Sequence, residues 1–514
     1  MVKPSRGTIV LLVLLGLALA LRWRYVQEIS LYVDEFVTAW AARGIWLHGL
    51  PSFPSGNLYP HGFVFSYLQA PFVLGDFYET LVRIPALILS LATIPVIYWI
   101  GRRLLTEPVG LIAAAALAVD PDCIAWGGRA RMYGLLQLLT LLIVYFAYQG
   151  LVHDRPRARY LTMGLLVVAI FTHAEAALLL PILAMTAFVI WPWRRLLRTS
   201  VVLPFTLGGL GALAFLLLSR LGQPAHLEAV QVSRPYLAFQ FNLAGNLQAF
   251  APFFTQPYRL PFTLLAVAGL FPLLRPRRNA DGKEWGRSPL TYLYTVLILY
   301  LALFLLLAGA TWQNDRYLFL LLPILFLIGG QVLNAAADWV AGSLPRLAAL
   351  KRTALWRGAV LALLVALAVG LTGSPAAYTQ EPGYDLAFRY LRDRWQPQAG
   401  EQVVTFSPTA AMLYLGQCDY FAIQRGYEEY IVARPGDGRP ADLWTATPLL
   451  NTTAGLVDLL ATAPRVWFVI DEWRFQTRYE PDFIQAVLDT MELEYHQQEV
   501  MIFRTKGHAV TELP

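Results

Sequence analysis

The chain has 514 residues, 57% of them hydrophobic and only 14% charged; soluble domains carry about 25% charged residues, so a wholly soluble globular protein is excluded and bilayer spans are counted first. The formal net charge of +6 divides by region: residues 374–514 hold 19 acidic and 11 basic side chains, a net of −8, leaving +14 on the remainder. That positive charge sits in short segments between apolar runs, with no basic stripe interleaved with aromatics, which speaks against nucleic acid as a partner.

In chain order, Lys3 and Arg6 precede an uncharged apolar run at 7–21 containing Ala18-Leu19-Ala20. A cleaved leader has this form and a retained first helix fits as well; on either reading the chain after Leu21 lies outside. Further runs near the length that spans a bilayer lie at 81–100, 104–119, 132–151, 160–171, 176–191 and 200–218, then at 260–274, 290–310, 318–333 and 359–371. The pattern predicts a polytopic α-helical membrane protein with about eleven transmembrane helices.

Basic clusters set the orientation. They are Lys3/Arg6, Arg102/Arg103, Arg155/Arg157/Arg159, Arg194/Arg195/Arg198, the group from Arg275 to Arg287, and Arg346/Lys351/Arg352/Arg357. Each is expected on the cytoplasmic side, with the N-terminus, so an even number of crossings separates consecutive clusters. Between Tyr160 and Trp193 only His173 and Glu175 are ionisable. One helix of that length would run about 50 Å; with basic clusters at both ends it is expected to be a hairpin turning at Thr172-His173-Ala174-Glu175.

The outer segments are then 22–80, 120–131, this turn, 219–258, which is rich in aromatics and suits an interfacial helix, and 311–316. The last helix leads outward into residues 374–514. There, 403–406, 420–423, 465–470 and 500–503 read as strands, and 409–416 and 482–491 as helices, a small extracytoplasmic α/β domain. The expected division is a transmembrane domain over 1–373, with its first outer loop at 22–80, and this second domain over 374–514. No internal repeat or low-complexity tract is present. The expected location is the plasma (inner) membrane.

Cys123 and Cys418 have no metal-ligand spacing. A disulfide between them is possible on the outer side, and two packed thiols are the plainer expectation.

Ionisable residues gather at the outer ends of the spans. Asp34 and Glu35 are adjacent in the first outer loop, followed by Asn57-Leu58-Tyr59-Pro60-His61-Gly62. The second outer segment supplies Asp120, Asp122, Arg129 and Arg131, then Tyr133; the third His173 and Glu175; the fifth Gln313-Asn314-Asp315-Arg316-Tyr317. Carboxylates there can deprotonate a hydroxyl or amine nucleophile. Arginines can grip a phosphate with paired hydrogen bonds, and aromatics can pack on a sugar face or an isoprenoid tail. The set suits glycosyl transfer from a polyprenyl phosphate. The chain has no glycine-rich phosphate loop, which argues against a nucleotide-sugar donor. Plainer roles stay open: Asp34-Glu35 as solvated surface, Arg129, Arg131 and Arg316-Tyr317 as interfacial anchors, His173 and Glu175 as caps of a tight helical hairpin.

With these residues in place, the chain resembles the GT-C superfamily of membrane glycosyltransferases, most of all the bacterial branch that groups protein O-mannosyltransferases with aminoarabinose lipid A transferases. The resemblance covers the whole chain: a short first helix, a long outer first loop opening on Asp-Glu, many spans and an outer C-terminal domain. It implies that Asp34 is the catalytic base, with Glu35 beside it. Tyr59-Pro60-His61-Gly62 resembles a degenerate form of the family's Lys-Pro-Pro-Leu or His-Pro-Pro-Leu element, with His61 nearest the polar role. Arg316-Tyr317-Leu318 through Leu322-Pro323 resembles the family's Arg-Tyr before a Leu-rich, Pro-containing span, which implies a donor-phosphate role for Arg316. Some relatives carry a second acid where Ala130-Arg131-Met132-Tyr133 stands here, so that role would fall to Asp120 or Asp122. Metal ligands of some relatives do not map; His61, His173 and Glu175 would make a divalent-metal site only if the fold gathers them, and no cofactor is otherwise expected.

The expected activity is inverting transfer of a sugar from a polyprenyl-phosphate donor to an extracytoplasmic acceptor: glycolipid, polysaccharide or protein. Asp34 and Glu35 form the catalytic pair. Tyr59, His61, Arg129, Arg131, Tyr133, His173, Glu175, Arg316 and Tyr317 bind donor and substrate, and the outer domain covers the chamber or selects the acceptor. A lipid-linked sugar flippase would need polar groups or broken helices near mid-membrane. A non-catalytic scaffold would use the C-terminal domain for partners. Both are alternatives from other classes.

Overall fold

The structure is a computed structural model that describes residues 6–222, 241–271, 288–309, 313–343, 354–372, 381–426 and 430–506. The basic clusters expected over 275–287 and 346–352 lie outside the described residues. The chain divides into two compact units. The first gathers Met1–Gln27, Arg83–Leu217 and Pro235–Tyr378; the second gathers Glu28–Val82, Leu218–Arg234 and Thr379–Pro514.

The first unit is helical. Among the described residues, every apolar run of the sequence falls mainly on helices, from Arg6–Glu28 to Ala354–Thr372. Among the described residues, six helices are long and apolar enough to cross a membrane. They are Gly7–Glu28, Glu79–Leu104, Tyr133–Leu151, Thr199–Leu221, Pro289–Leu307 and Asp315–Val340. A seventh span results if Glu107–Val119 and Pro121–Gly128, bent by 63° at Asp120, count as one. Helices Pro156–Thr172 and Leu179–Ile190 flank the expected turn at His173 and Glu175. Helix Leu243–Thr255 falls within the segment read as suiting an interfacial helix.

Helix Glu107–Val119 sits at the centre, buried over all its residues from Pro108 to Val119, and packs against helices Leu322–Ser343 and Ala354–Thr372. Its alanines and Gly110 explain that position, because small side chains let backbones approach where no hydrophobic effect drives helices together. A Cβ on Gly110 would lie 2.5 Å from the Tyr98 carbonyl, and one on Gly101 would lie 2.6 Å from Gly110 Cα. The C-terminal carbonyls of this helix have no intrahelical donors. The buried Arg22 supplies them: its guanidinium donates to the Ala118 carbonyl at 2.8 Å, the Leu117 carbonyl at 3.1 Å and Ser90 Oγ at 2.8 Å.

The second unit holds strands β1 (Gln402–Thr405), β2 (Tyr420–Ala422), β3 (Ile431–Ala433), β4 (Pro440–Asp442), β5 (Leu449–Leu450), β6 (Val466–Asp471), β7 (Met491–Gln497) and β8 (Val500–Thr505). Six form a sheet in the order β5-β2-β1-β6-β8-β7. β5, β2, β1 and β6 are parallel neighbours, while β8 runs antiparallel to β6 and β7 to β8. β6 (VWFVID) is buried at all its residues, as an unbroken apolar run in a two-sided sheet requires. The helix expected over 482–491 is Pro481–Thr490; Met491 already belongs to β7, which pairs with β8 through a register shift between Leu493 and Tyr495.

The N-terminal segment of this unit folds with the sheet. Helix Val33–His48 packs on helix Pro408–Tyr414. Phe53 and Tyr59 meet the Trp444 ring with centroids 4.8 and 6.2 Å away. Ser55 Oγ and Asn57 Nδ2 both donate to the Leu443 carbonyl, the latter at 2.7 Å.

Candidate active site

The candidate residues form one group in each unit. In the second unit, helix Val33–His48 starts after Tyr32, placing Asp34 and Glu35 in its first turn. Carboxylates are favoured there by the helix dipole and the orphan N–H groups. The two acids behave differently. Glu35 is fully buried, and its Oε2 accepts from the Tyr32 N–H at 2.8 Å, the reach-back half of a capping box. Asp34 is half-buried. Its backbone carbonyl accepts from Thr38 Oγ1 at 3.0 Å, and that oxygen lies 3.4 Å from the Tyr59 hydroxyl. Thr38 and Tyr59 are both buried, so Tyr59 packs one helical turn from Asp34. His61 is exposed, immediately before helix Phe63–Gln69.

In the first unit the structure brings together residues from four distant stretches. Pro121–Gly128 ends at Arg129, whose Nε donates to the Tyr25 hydroxyl at 3.0 Å and whose guanidinium lies 4.4 Å from the Trp126 ring. Trp126 packs edge-on to Tyr133 at 4.6 Å, Tyr133 faces the His173 ring at 5.5 Å, and His173 faces Tyr317 at 6.1 Å. Arg316 lies 5.0 Å from the Tyr317 ring, with Nη2 3.1 Å from its hydroxyl. Arg129, Arg131, Tyr133, His173, Glu175 and Tyr317 are all buried.

His173 and Glu175 lie in a short 3₁₀ turn whose geometry fixes their chemistry. His173 Nδ1 accepts from the Glu175 N–H at 3.3 Å. The same nitrogen lies 3.7 Å from Glu175 Oε2. Glu175 accepts from the Tyr300 hydroxyl, which also lies 3.1 Å from the Tyr317 carbonyl. Tyr300 thus ties the His173 turn to the Arg316-Tyr317 turn. It stands among the leucines of helix Pro289–Leu307, where a tyrosine looks like any core aromatic, and no sequence signal marks it.

Asp120 and Asp122 are engaged elsewhere. Asp120 caps helix Pro121–Gly128 through the Cys123 N–H at 3.1 Å. Both acids accept from Nη2 of the fully buried Arg259, at 3.0 Å from Asp120 Oδ2 and 2.6 Å from Asp122 Oδ2. An acid locked in a buried ion pair is poorly placed to take a substrate proton. Cys123 and Cys418 are free thiols. Among the described residues, no three His, Cys, Asp or Glu side chains form a group that could hold a metal ion.

Beside the Arg316-Tyr317 turn lies an apolar cavity of about 160 Å³, lined by Phe250, Phe254, Leu301, Phe304 and Leu318 among others. The Phe304 ring stands between it and the polar cluster, stacked on Tyr300 at 5.0 Å and tilted against Tyr317 at 6.3 Å. Buried cations and neutral hydrogen-bonding groups on one side and an open apolar slot on the other suit an amphiphile with an anionic head.

A model of the dolichyl-phosphate-mannose-protein mannosyltransferase family matches residues 60–219. No curated protein matches the chain in sequence. Among solved structures, the chain is similar to ArnT from Cupriavidus metallidurans bound to undecaprenyl phosphate, with a TM-score of 0.64 at 15% identity over 96% of this chain and 97% of that one. It is also similar to the oligosaccharyltransferase AglB from Archaeoglobus fulgidus in complex with an inhibitory peptide and a dolichol-phosphate. The TM-score there is 0.57 at 12% identity over 99% of this chain and 75% of that one. The chain thus shares the fold of these two solved membrane transferases, and its residues 60–219 match the dolichyl-phosphate-mannose-protein mannosyltransferase family model.

Proposed function

We propose that the chain is a membrane glycosyltransferase that moves a sugar from a polyprenyl-phosphate donor to an extracytoplasmic acceptor with inversion. The observation that carries this reading is the first unit's pairing of Arg316 and Tyr317 with the apolar cavity at Phe304 and Leu318. A phosphate held by Arg316 would leave its isoprenoid tail against those apolar side chains, and Arg129 and Arg131 would add positive field. ArnT of the same fold was solved with undecaprenyl phosphate bound, which supports a donor of this class.

Asp34 takes the proton of the acceptor hydroxyl or amine as that nucleophile attacks the anomeric carbon. The bond from that carbon to the phosphate oxygen breaks, and the polyprenyl phosphate departs. Its developing charge is spread over guanidinium groups fixed before reaction, the arrangement that lowers a barrier most in a site with little water. Buried Tyr59, packed on Thr38, gives the Asp34 turn a firm wall, and His61 is exposed on the same segment.

Asp34→Asn tests the base. Transfer from a purified polyprenyl-phosphate sugar is expected to fall about 10³-fold, within the range of lost general-base catalysis, while the protein inserts and melts as wild type. Turnover within a few-fold of wild type would sink the assignment. Arg316→Ala should cost about 10²-fold in kcat and weaken donor binding; Arg316→Lys should restore part of this, since an ammonium returns the charge without the paired hydrogen bonds.

A further inference from the structure

A second cavity lies within the second unit, with a volume of about 290 Å³. Its walls come from the far half of helix Val33–His48, the turn at Gly75, and the ends of helices Tyr384–Arg392 and Pro408–Tyr414. Three charged side chains face it: Arg43, Arg392 and Asp76.

The floor is a packed aromatic group. Phe77 meets Tyr414 edge-on at 5.2 Å, Phe36 meets both at 6.5 and 6.2 Å, and Phe388 stacks on Tyr414 at 6.3 Å. The Tyr414 hydroxyl donates to Glu79 at 2.6 Å, and Arg389 lies 3.4 Å from the same carboxylate oxygen. Burial, and then the Glu79 charge, push the Tyr414 hydroxyl well above its ordinary value, so it stays a donor and keeps Glu79 occupied. The Glu79 carboxylate is thus engaged by Tyr414 and Arg389.

The arginines are poorly satisfied by the protein. Half-buried Arg43 makes only a cation–π contact, 5.4 Å from the Trp40 ring, among the described residues. Arg392 has one long contact, 3.9 Å from Asp393, and both partners are exposed. Such a pair is worth little and exchanges readily. Two guanidinium groups facing one cavity, one of them half-buried without an acceptor, make an anion site. Asp76 on the same wall can accept hydrogen bonds from hydroxyls, and Phe77 also lines the cavity, the two other kinds of group that hold a sugar ring.

We propose that this cavity is a recognition subsite for a sugar that bears a phosphate or carboxylate, and that through it the protein selects an anionic acceptor glycan. The acceptor role rests on the transferase reading above; the binding itself does not. The volume admits about one or two sugar rings, at the small end of ordinary ligand cavities.

The test is equilibrium binding to the full-length protein in nanodiscs, read by calorimetry with glucose 6-phosphate, glucuronate, glucose and inorganic phosphate as probes. Glucose 6-phosphate and glucuronate should bind at least tenfold more tightly than glucose or inorganic phosphate. Arg43→Gln and Arg392→Gln should each weaken the anionic sugars about tenfold, and Asp76→Asn should weaken the sugar phosphate but not inorganic phosphate. Arg392 is exposed, so its variant keeps the test valid should Arg43→Gln fail to fold. Asp34→Asn should bind all probes as wild type; if the wild-type protein transfers no sugar from a purified polyprenyl-phosphate sugar, the transferase reading falls while the subsite stands. Binding of anionic sugars unchanged by Arg392→Gln, or inorganic phosphate binding as tightly as glucose 6-phosphate, would overturn the proposal.

Discussion

At the residue scale, adjacent Asp34 and Glu35 look interchangeable in sequence, and the structure separates them. Glu35 caps its own helix from a buried position, while Asp34 keeps a half-buried carboxylate one turn from Tyr59. Glu35→Gln should be nearly silent, because glutamine also reaches back in a capping box. Glu35→Ala should cost about 1 kcal/mol, read as a lower melting temperature, with donor KM little changed. A Glu35→Gln variant as inactive as Asp34→Asn would show that the charge of Glu35 serves the reaction. The Asp-Glu pair was visible in sequence because it is local. The difference between the two acids was not, because it depends on where the helix starts and on what covers it.

At the element scale, helix starts and the central strands were legible from apolar runs and caps, since they depend on near neighbours. What escaped is long-range pairing. Arg259 carries no sequence signal, yet it holds Asp120 and Asp122, 139 and 137 residues away. Tyr300 reads as core and ties two turns of the site together. β7 has no counterpart in the sequence reading, whose helix over 482–491 takes in only Met491, because MELEYHQ is an edge strand with glutamates and a register shift, and such strands lose the clean apolar alternation. The Arg259 triad also makes the bend at Asp120 testable. Arg259→Leu leaves Asp120 buried and unpaired and should destabilise the protein by about 3–5 kcal/mol. Adding Asp120→Asn should recover a good part of that loss, because the orphaned charge goes with it. Melting of both variants in detergent reads the coupling; additive losses would mean that the pair does not hold the bend.

At the scale of the whole molecule, two counts of the spans differ for a physical reason. The sequence count of about eleven accepts every apolar run bracketed by basic clusters. Among the described residues, length and composition admit six helices, or seven with the bent pair, because a helix of 17 residues such as Pro156–Thr172 sits at the lower limit of what crosses about 30 Å of hydrocarbon. The charge pattern decides between them, since each short helix sits between segments whose sidedness can be measured. Asp154, in the segment between helices Tyr133–Leu151 and Pro156–Thr172, is held by Arg159 at 3.0 Å and by Arg195. Arg195 lies beyond helix Leu179–Ile190, so the two ends of the hairpin meet at one ion-pair cluster and lie on one side of the membrane. The positive-inside rule predicts a cytoplasmic position for that side, and residues 374–514, with their net negative charge, are expected on the other. Cysteines placed at Arg155 and at Trp473, in a variant without Cys123 and Cys418, should label oppositely in intact cells. The impermeant reagent should reach position 473 from outside and position 155 only after the membrane is opened. Labelling of both from the same side would require one crossing fewer or one more between them, and would return the stretch from Pro156 to Ile190 to a single span.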